Sequence, residues 1–187
     1  MKGLFLDRDG VLNYDNGYTY AWEDFEFIPG AIEGMRKFKQ AGYSIFIVTN
    51  QSGIARGLYS EKDFFSLTQK VNKFLKKEKI FIRDTYHCPH HIRGVIKNLA
   101  VDCYCRKPKP GMILSAAKKH NIKLKNSVLV GDKISDIEAG LNAGIHSLCL
   151  LQRNKTESYT FFDRCGEENQ FFIDCSLGSF SSNFFSN

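Results

Sequence analysis

The chain has 187 residues, 43% of them hydrophobic, and a formal net charge of +6. This length fits one domain, or one domain with a small appendage, and the hydrophobic fraction is enough to bury a core. No apolar run is long enough to span a membrane, and the N-terminal apolar stretch is too short for an export signal. We therefore expect a cytoplasmic protein that binds no membrane.

Strands and helices alternate along the predicted chain. In chain order we expect a strand over 2–6, a helix over 30–41, a strand over 43–48, a helix from the Ser60–Asp63 capping box through Leu75, a strand ending at Cys88, a helix over 110–120, a strand over 127–130, a helix over 134–143 and a strand over 145–151. This order predicts an α/β fold, a three-layer Rossmann-like parallel sheet flanked by helices.

The last part of the chain carries no such pattern. Residues 1–151 are expected to form one domain. Residues 152–187 are rich in Phe and Ser and show no periodicity that predicts an element. We expect them to form a tail packed on the domain, with a structure that the sequence does not define.

Three polar residues follow strands of the predicted sheet, at the edge where open α/β sheets bind ligands. They are Asp7, Thr49 and Asp132. A carboxylate such as Asp7 can attack phosphorus, while a second group such as Asp9 protonates the leaving oxygen and later activates water. Asp7 and Asp132 are also the natural pair of ligands for a Mg²⁺ ion that offsets the charge between carboxylate and phosphate. The alternative interpretation is an ordinary strand-ending turn built from Asp and Gly.

Two short ligand pairs, at 88–90 and 103–105, are joined by a loop over 88–105. Three thiolates and one imidazole make a closed tetrahedral site, so we predict a structural zinc ion in this loop insertion. His87 and His91 flank the site and compete as ligands. The alternative is a set of free cysteines beside surface histidines. The loop leads directly into two cationic residues, which the zinc is expected to position.

Five segments together resemble the haloacid dehalogenase superfamily. They are 7–13 (DRDGVLN), 48–57 (VTNQSGIARG), 88–91 (CPHH), 103–112 (CYCRKPKPGM) and 130–133 (VGDK). Within that superfamily they are similar to phosphatases of D-glycero-D-manno-heptose 1,7-bisphosphate, and the likeness covers residues 1–151. It implies a magnesium-dependent hydrolase that removes the 7-phosphate through an aspartyl phosphate, in the biosynthesis of nucleotide-activated heptose for lipopolysaccharide. The chain departs from the family pattern at Thr19-Tyr20 and Ile92.

The resemblance also implies a role for each matching position. Asp7 would be the nucleophile and Asp9 the general acid and base. Magnesium would be bound by Asp7, Asp132 and the backbone carbonyl of Asp9, and zinc by Cys88, His90, Cys103 and Cys105. The residues that would contact the phosphoryl group or the rest of the substrate are Asp15, Asn16, Gly17, Tyr18, Thr49, Asn50, Gln51, Ser52, Arg106, Lys107 and Lys133.

Two of these cations favour a substrate with two phosphates. Thr49, Lys107 and magnesium would hold the phosphoryl group that is transferred. Arg106 and Lys133 are then expected to lack an anion of their own, which a second phosphate would supply. Histidinol phosphate carries one phosphate and a cationic amine, which these two side chains would repel.

Three other functions remain open. A histidinol-phosphate phosphatase shares the zinc loop and the catalytic motifs. A nucleic-acid 3′-phosphatase suits the positive charge, but the chain lacks a stretch of interleaved aromatic and basic residues to follow a strand. A zinc-bearing binding module without catalysis is the alternative outside the enzymes. We expect a small phosphorylated sugar as ligand, no nucleic acid as partner, and a monomer.

Overall fold

The computed structural model describes residues 1–152 and 169–186, so 153–168 and 187 of the expected tail lie outside the described residues. The strands are β1 (Gly3–Leu6), β2 (Ser44–Asn50), β3 (Ile82–Cys88), β4 (Val128–Gly131), β5 (Ser147–Leu151) and β6 (Gln170–Asp174). The helices are α1 (Ala31–Gln40), α2 (Glu61–Lys77), α3 (Gly111–His120), α4 (Ile134–Ala143) and α5 (Leu177–Ser186). Within the described ranges, no helix has both the length and the apolar character needed to cross a membrane.

The six strands form one parallel sheet in the order β3-β2-β1-β4-β5-β6. Strand β1 lies between β2 and β4, although β4 follows more than one hundred residues later in the chain. The strand order therefore reverses beside β1. In open α/β sheets the crevice at such a reversal, outside the carboxyl ends of the strands, is where ligands bind.

The two faces of the sheet bury separate sets of side chains, as the period of two along a strand requires. Leu4 and Leu6 face the side covered by α1, α2 and α5. Phe5 points to the opposite side, which α3 and α4 cover. The predicted three-layer α/β class is confirmed, and the helices start and end within a few residues of the predicted positions.

The described part of the tail continues the fold. Strand β6 pairs in parallel with β5, and α5 packs on α1. The sequence predicted no element here, yet Leu177, Phe180 and Phe184 are spaced as one helical face. The two helices approach so closely that a Cβ on Gly34 would lie 2.6 Å from the carbonyl oxygen of Leu177.

Aromatic rings hold α5 against the domain. Phe180 is fully buried, and its ring centroid lies 5.8 Å from Phe38 and 5.2 Å from Phe172. We expect Phe180→Ala to lower the free energy of unfolding by about 3 kcal/mol, because it removes a buried ring and leaves a cavity. Urea denaturation measures this loss. Phe185→Ala, at a ring that is 41% exposed, is the matched control and should cost less than about 1 kcal/mol.

Candidate active site

Asp7 lies at the centre of the carboxyl edge of the sheet, directly after β1. Its backbone N–H donates to the carbonyl of Val130, which ties it to β4. The ammonium of Lys107 lies 3.0 Å from Asp7 Oδ1 and donates to the carbonyl of Val48 at 2.8 Å. Both side chains are buried, with exposed fractions of 7% for Asp7 and 3% for Lys107. A carboxylate and its counter-ion thus face each other at the predicted position of attack.

A third carboxylate, Asp136, completes this cluster and was not predicted from the sequence. It is buried one turn into α4, and its Oδ1 lies 2.6 Å from Lys107 Nζ. Its Oδ2 accepts the backbone N–H of Lys133. Oxygens of Asp7, Asp132 and Asp136 lie within 4.8 Å of one another. Asp136 lies in the first turn of α4, directly after the β4–α4 connection that carries Asp132, and this proximity to the sheet edge is the signal that could have found it.

Two glycines make room for the carboxylates. Gly10 has a φ of 85°, and a Cβ there would lie 2.2 Å from Asp132 Oδ2. A Cβ on Gly131 would lie 2.2 Å from the Cβ of Asp136. Any side chain at either position would displace a carboxylate, so the glycines of both motifs are required by close packing rather than by turn geometry alone.

The site concentrates negative charge in a buried place. Burial, opposed by Lys107, raises the pKa of Asp7 to about 7, and burial, opposed by Lys133, raises that of Asp132 to about 6. Although burial favours the neutral amine, the carboxylates of Asp136 and Asp7 raise the pKa of Lys107. Asp132 Oδ1 is buried and has no hydrogen-bond partner among the described residues. A hard divalent cation fits this donor set, because it offsets the excess charge and gives the free oxygen a partner.

Asp9 is held by three protein side chains. Arg8 donates from Nη2 to both carboxylate oxygens, each at 3.0 Å. Asn13 donates to Oδ1 at 3.0 Å, and Gln51 donates to Oδ2 at 3.0 Å. Arg8, for which no role was predicted, is buried and also donates to the carbonyl of Thr19. Asp9 is therefore held in a fixed orientation at the wall of the site.

The predicted cations have different surroundings. The Lys107 backbone exchanges two hydrogen bonds with the Asn50 amide, at 3.1 and 3.2 Å. Lys133 forms an ion pair with Asp15 at 2.9 Å, so the expectation that it lacks an anion is wrong. Arg106 donates to the carbonyl of His90 at 3.3 Å, and within the described part of the chain no carboxylate pairs with it. Of these three cations, Arg106 is the one that has no carboxylate partner among the described residues and can pair with an anionic ligand.

A cavity of about 630 Å³ opens at this edge of the sheet. The predicted residues that line it are Asp7, Asp9, Asp15, Gly17, Tyr18, Thr49, Asn50, Gln51, Ser52, Arg106, Lys107 and Lys133, together with Tyr59, Pro108, Ser135 and Asp136, which were not predicted. Asn16 lies instead on a neighbouring cavity with Gly10 and Asp132. The volume and the polar lining suit a small, highly polar ligand.

The loop over 88–105 brings its four predicted ligands together. Cys103 Sγ lies 3.4 Å from Cys88 Sγ and 3.3 Å from Cys105 Sγ. The Nδ1 atom of His90 lies 3.7 Å from Cys88 Sγ and 3.4 Å from Cys105 Sγ. Bonds of about 2.3 Å to one tetrahedral zinc ion would separate sulfur atoms by about 3.8 Å, close to these distances. The cluster is therefore compatible with a structural zinc ion.

The two flanking histidines lie outside this cluster. His87 contacts Glu61 at 3.0 Å and stacks on Phe64. His91 lies 3.1 Å from Arg56 through its Nε2. His90 is thus the histidine that the geometry provides as a ligand.

Comparison with known proteins agrees with this geometry. A family model described as HAD-hydrolase-like matches residues 104–160. The chain is 52% identical over 152 residues to D-glycero-alpha-D-manno-heptose-1,7-bisphosphate 7-phosphatase of Photorhabdus laumondii subsp. laumondii, which covers 81% of this chain and 83% of the relative. It is 46% identical over 154 residues to D-glycero-beta-D-manno-heptose-1,7-bisphosphate 7-phosphatase of Pasteurella multocida, with 82% and 83% covered.

Solved structures agree as well. The D,D-heptose 1,7-bisphosphate phosphatase of B. bronchiseptica, complexed with magnesium and phosphate, superposes with a TM-score of 0.83 at 26% identity, covering 100% of this chain and 99% of the other. The motifs, the fold and the sequence identity point the same way. The chain therefore belongs to the haloacid dehalogenase superfamily and, within it, to the family of the D-glycero-D-manno-heptose 1,7-bisphosphate 7-phosphatases.

Proposed function

We propose that this protein removes the 7-phosphate of D-glycero-D-manno-heptose 1,7-bisphosphate and leaves the 1-phosphate in place. The observation that carries the proposal is the buried Asp7–Lys107 pair at the floor of a polar cavity, in a chain that shares 52% identity with a relative of that name. The product would serve nucleotide activation of heptose. The relatives' names divide between the alpha and the beta anomer, so the anomer is decided by experiment.

The reaction uses two carboxylates in turn. A carboxylate oxygen of Asp7 attacks the phosphorus, the bond from phosphorus to the C7 oxygen breaks, and Asp9 gives that oxygen a proton. Water then attacks the aspartyl phosphate and passes a proton back to Asp9. This step releases inorganic phosphate and restores Asp7. Lys107 and the Thr49 hydroxyl neutralise and hold the transferred group.

Two metal ions belong to the proposal. Magnesium, bound by Asp7, Asp132 and the backbone carbonyl of Asp9, would offset the charge between the attacking carboxylate and the phosphoryl oxygens. Asp136 is the weaker candidate as ligand, because its Oδ1 is already paired with the Lys107 ammonium and its Oδ2 accepts from the backbone of Lys133. Zinc, bound by the four residues of the 88–105 loop, would have a structural role only, since no ligand position stays open.

Arg106 supports a substrate with a second phosphate. Its guanidinium lines the cavity, and among the described residues it has no carboxylate partner, whereas Lys133 is paired with Asp15. A planar guanidinium can hold a phosphate with two parallel hydrogen bonds. The phosphate that stays on the sugar would be bound here while the other is transferred to Asp7.

A substrate panel tests the proposal. Both anomers of heptose 1,7-bisphosphate, histidinol phosphate and p-nitrophenyl phosphate are assayed for phosphate release, with and without Mg²⁺. We expect kcat/KM to be highest for one heptose anomer and activity to require Mg²⁺. A preference for histidinol phosphate would overturn the substrate assignment, and equal activity without Mg²⁺ would overturn the metal's role.

Assaying Arg106→Gln with the same substrates shows whether Arg106 binds the phosphate that is not transferred. It removes the charge but keeps a polar side chain at the cavity. We expect kcat/KM to fall by about 100-fold for the bisphosphate and by less than about threefold for p-nitrophenyl phosphate, because a lost hydrogen bond to a charged group costs about 1.5–3 kcal/mol. Equal losses on both substrates would mean that Arg106 does not bind the second phosphate.

A further inference from the structure

Gln51 has all the hydrogen-bonding groups of its amide occupied by protein. Its side chain is buried, at 2% exposure for the residue. Nε2 donates to Asp9 Oδ2 at 3.0 Å and to Thr49 Oγ1 at 2.8 Å. Oε1 accepts from the Tyr59 hydroxyl and, at 3.4 Å, from Arg8. Two donors and one acceptor atom are the full inventory of an amide side chain, so nothing is left over for a substrate.

These partners fix which way the amide points. A reversed amide would set its oxygen against the Asp9 carboxylate and its N–H groups against the Arg8 guanidinium, and both contacts are repulsive. Because Gln51 donates to Thr49 Oγ1, that hydroxyl accepts a hydrogen bond and keeps its own proton to donate towards the cavity. One side chain thus joins the general acid to the phosphate-binding hydroxyl.

The Tyr59 hydroxyl makes the strongest hydrogen bond to Gln51 Oε1, and neighbouring residues hold the Tyr59 side chain in place. It is 8% exposed, and its ring stacks on Tyr20 with centroids 5.2 Å apart. A Cβ on Gly53 would lie 2.1 Å from the Tyr59 ring, so the loop before α2 closes tightly on it. Burial raises the pKa of Tyr59, which keeps the phenol protonated and able to donate.

We propose that Gln51, held by the Tyr59 hydroxyl, is a positioning residue that orients Asp9 for proton transfer to the leaving oxygen and Thr49 for binding the phosphoryl group. This inference rests on the proposed function, in which Asp9 is the general acid. Without the phenol, Gln51 Oε1 keeps only the long contact to Arg8. Its hold on Asp9 Oδ2 loosens, and proton transfer, which depends on distance and alignment, becomes slower.

The choice of leaving group isolates this effect. Nitrophenolate departs from p-nitrophenyl phosphate without needing a proton, whereas a sugar alkoxide does need one. The parameter kcat/KM covers only the steps up to transfer of the phosphoryl group to Asp7, so the later use of Asp9 as a base does not enter it. Tyr59→Phe removes one hydroxyl and keeps the ring. We expect its kcat/KM to fall about tenfold for heptose 1,7-bisphosphate and less than threefold for p-nitrophenyl phosphate.

Two further variants, assayed with the same two substrates, test whether the effect of Tyr59→Phe acts through Gln51. Tyr20→Phe, which removes the hydroxyl of the stacked and 43% exposed neighbour, should leave both substrates unchanged. Gln51→Met, which keeps the length of the side chain, should show the selective loss of Tyr59→Phe together with a loss common to both substrates, because it also frees Thr49. Circular dichroism and thermal melting confirm that the variants are folded. Unchanged kcat/KM in Tyr59→Phe, or losses in that variant that are equal on the two substrates, would overturn the inference.

Asp9→Asn tells this failure apart from a failure of the proposed function. It should show the same selectivity with a larger loss, on the order of 100-fold or more for the heptose substrate. If Asp9→Asn shows that loss and Tyr59→Phe does not, only the positioning role of Gln51 and Tyr59 is wrong. If Asp9→Asn retains full activity, the acid role of Asp9 is wrong as well.

Discussion

Asp7→Asn is expected to reduce turnover of the heptose bisphosphate by a factor on the order of 10⁴ or more while the protein stays folded. Asparagine keeps the shape of the side chain, but its amide cannot attack phosphorus, and no covalent intermediate can form. Phosphate release measures the loss. Intact-mass analysis of the same sample checks that deamidation has not regenerated Asp7. Wild-type activity in a sample of confirmed mass would contradict the covalent mechanism.

The stability of this variant is an independent readout. Burial raises the pKa of Asp7 to about 7, above the ordinary value of 3.8, so at pH 8 its carboxylate opposes folding. Asparagine removes that charge, and Lys107 keeps its partner Asp136. Without added Mg²⁺, the melting temperature at pH 8 should therefore equal or exceed that of the parent protein. A lower melting temperature would show that Asp7 stabilises the fold and that the loss of activity is partly structural.

Removing two thiols from the 88–105 loop is expected to have the largest effect on stability. The purified protein should contain one zinc ion per chain, and Cys103→Ser with Cys105→Ser should contain none. Because metal binding is coupled to folding of the loop, we expect the melting temperature to fall by about 10 °C, which corresponds to about 3 kcal/mol for a chain of this size. Metal analysis and thermal melting check the two parts of this expectation.

Cys175→Ser is the matched control for these thiols. This cysteine is exposed and free, and it lies outside the ligand cluster. Its variant should keep the zinc ion, the melting temperature and the activity. Should the double variant keep its zinc, or lose it with no change in melting temperature, the loop would not depend on the metal for its structure.

The sheet could be predicted from the sequence as far as residue 151, because β1, β2, β4 and β5 are short apolar runs. Strand β3 mixes charged and polar residues, and only its end at Cys88 was predicted. The tail could not be predicted in the same way. Strand β6 has no fully buried residue, so it lacks the buried apolar run that marks β1, β2, β4 and β5. Helix α5 has the spacing of a helical face, but it is rich in Ser and Phe, which are weak helix formers. Its packing on α1 is a tertiary effect that propensity does not anticipate.

The candidate site likewise contains some residues that could be predicted from the sequence and others that could not. Asp7, Thr49 and Asp132 could be predicted because Asp7 and Asp132 directly follow β1 and β4 and Thr49 lies near the end of β2, and these strands meet at one edge. Asp136 lies inside a helix, where a carboxylate ordinarily faces solvent, so its burial against Lys107 depends on how α4 meets the sheet. The pairing of Lys133 with Asp15 joins positions 118 residues apart and leaves no trace in local sequence.

The docking of the last helix on the first has a consequence for how the protein is made. Lys37 on α1 bonds to Ser182 on α5 at 2.7 Å, across 145 residues of sequence. A ribosome adds about 5–20 residues per second, so α1 is synthesised on the order of 10 s before its partner exists. During that interval the aromatic side of α1 around Phe38 stays uncovered. Until α5 is made, this surface of α1 is open to the non-native hydrophobic contacts that chaperones guard against.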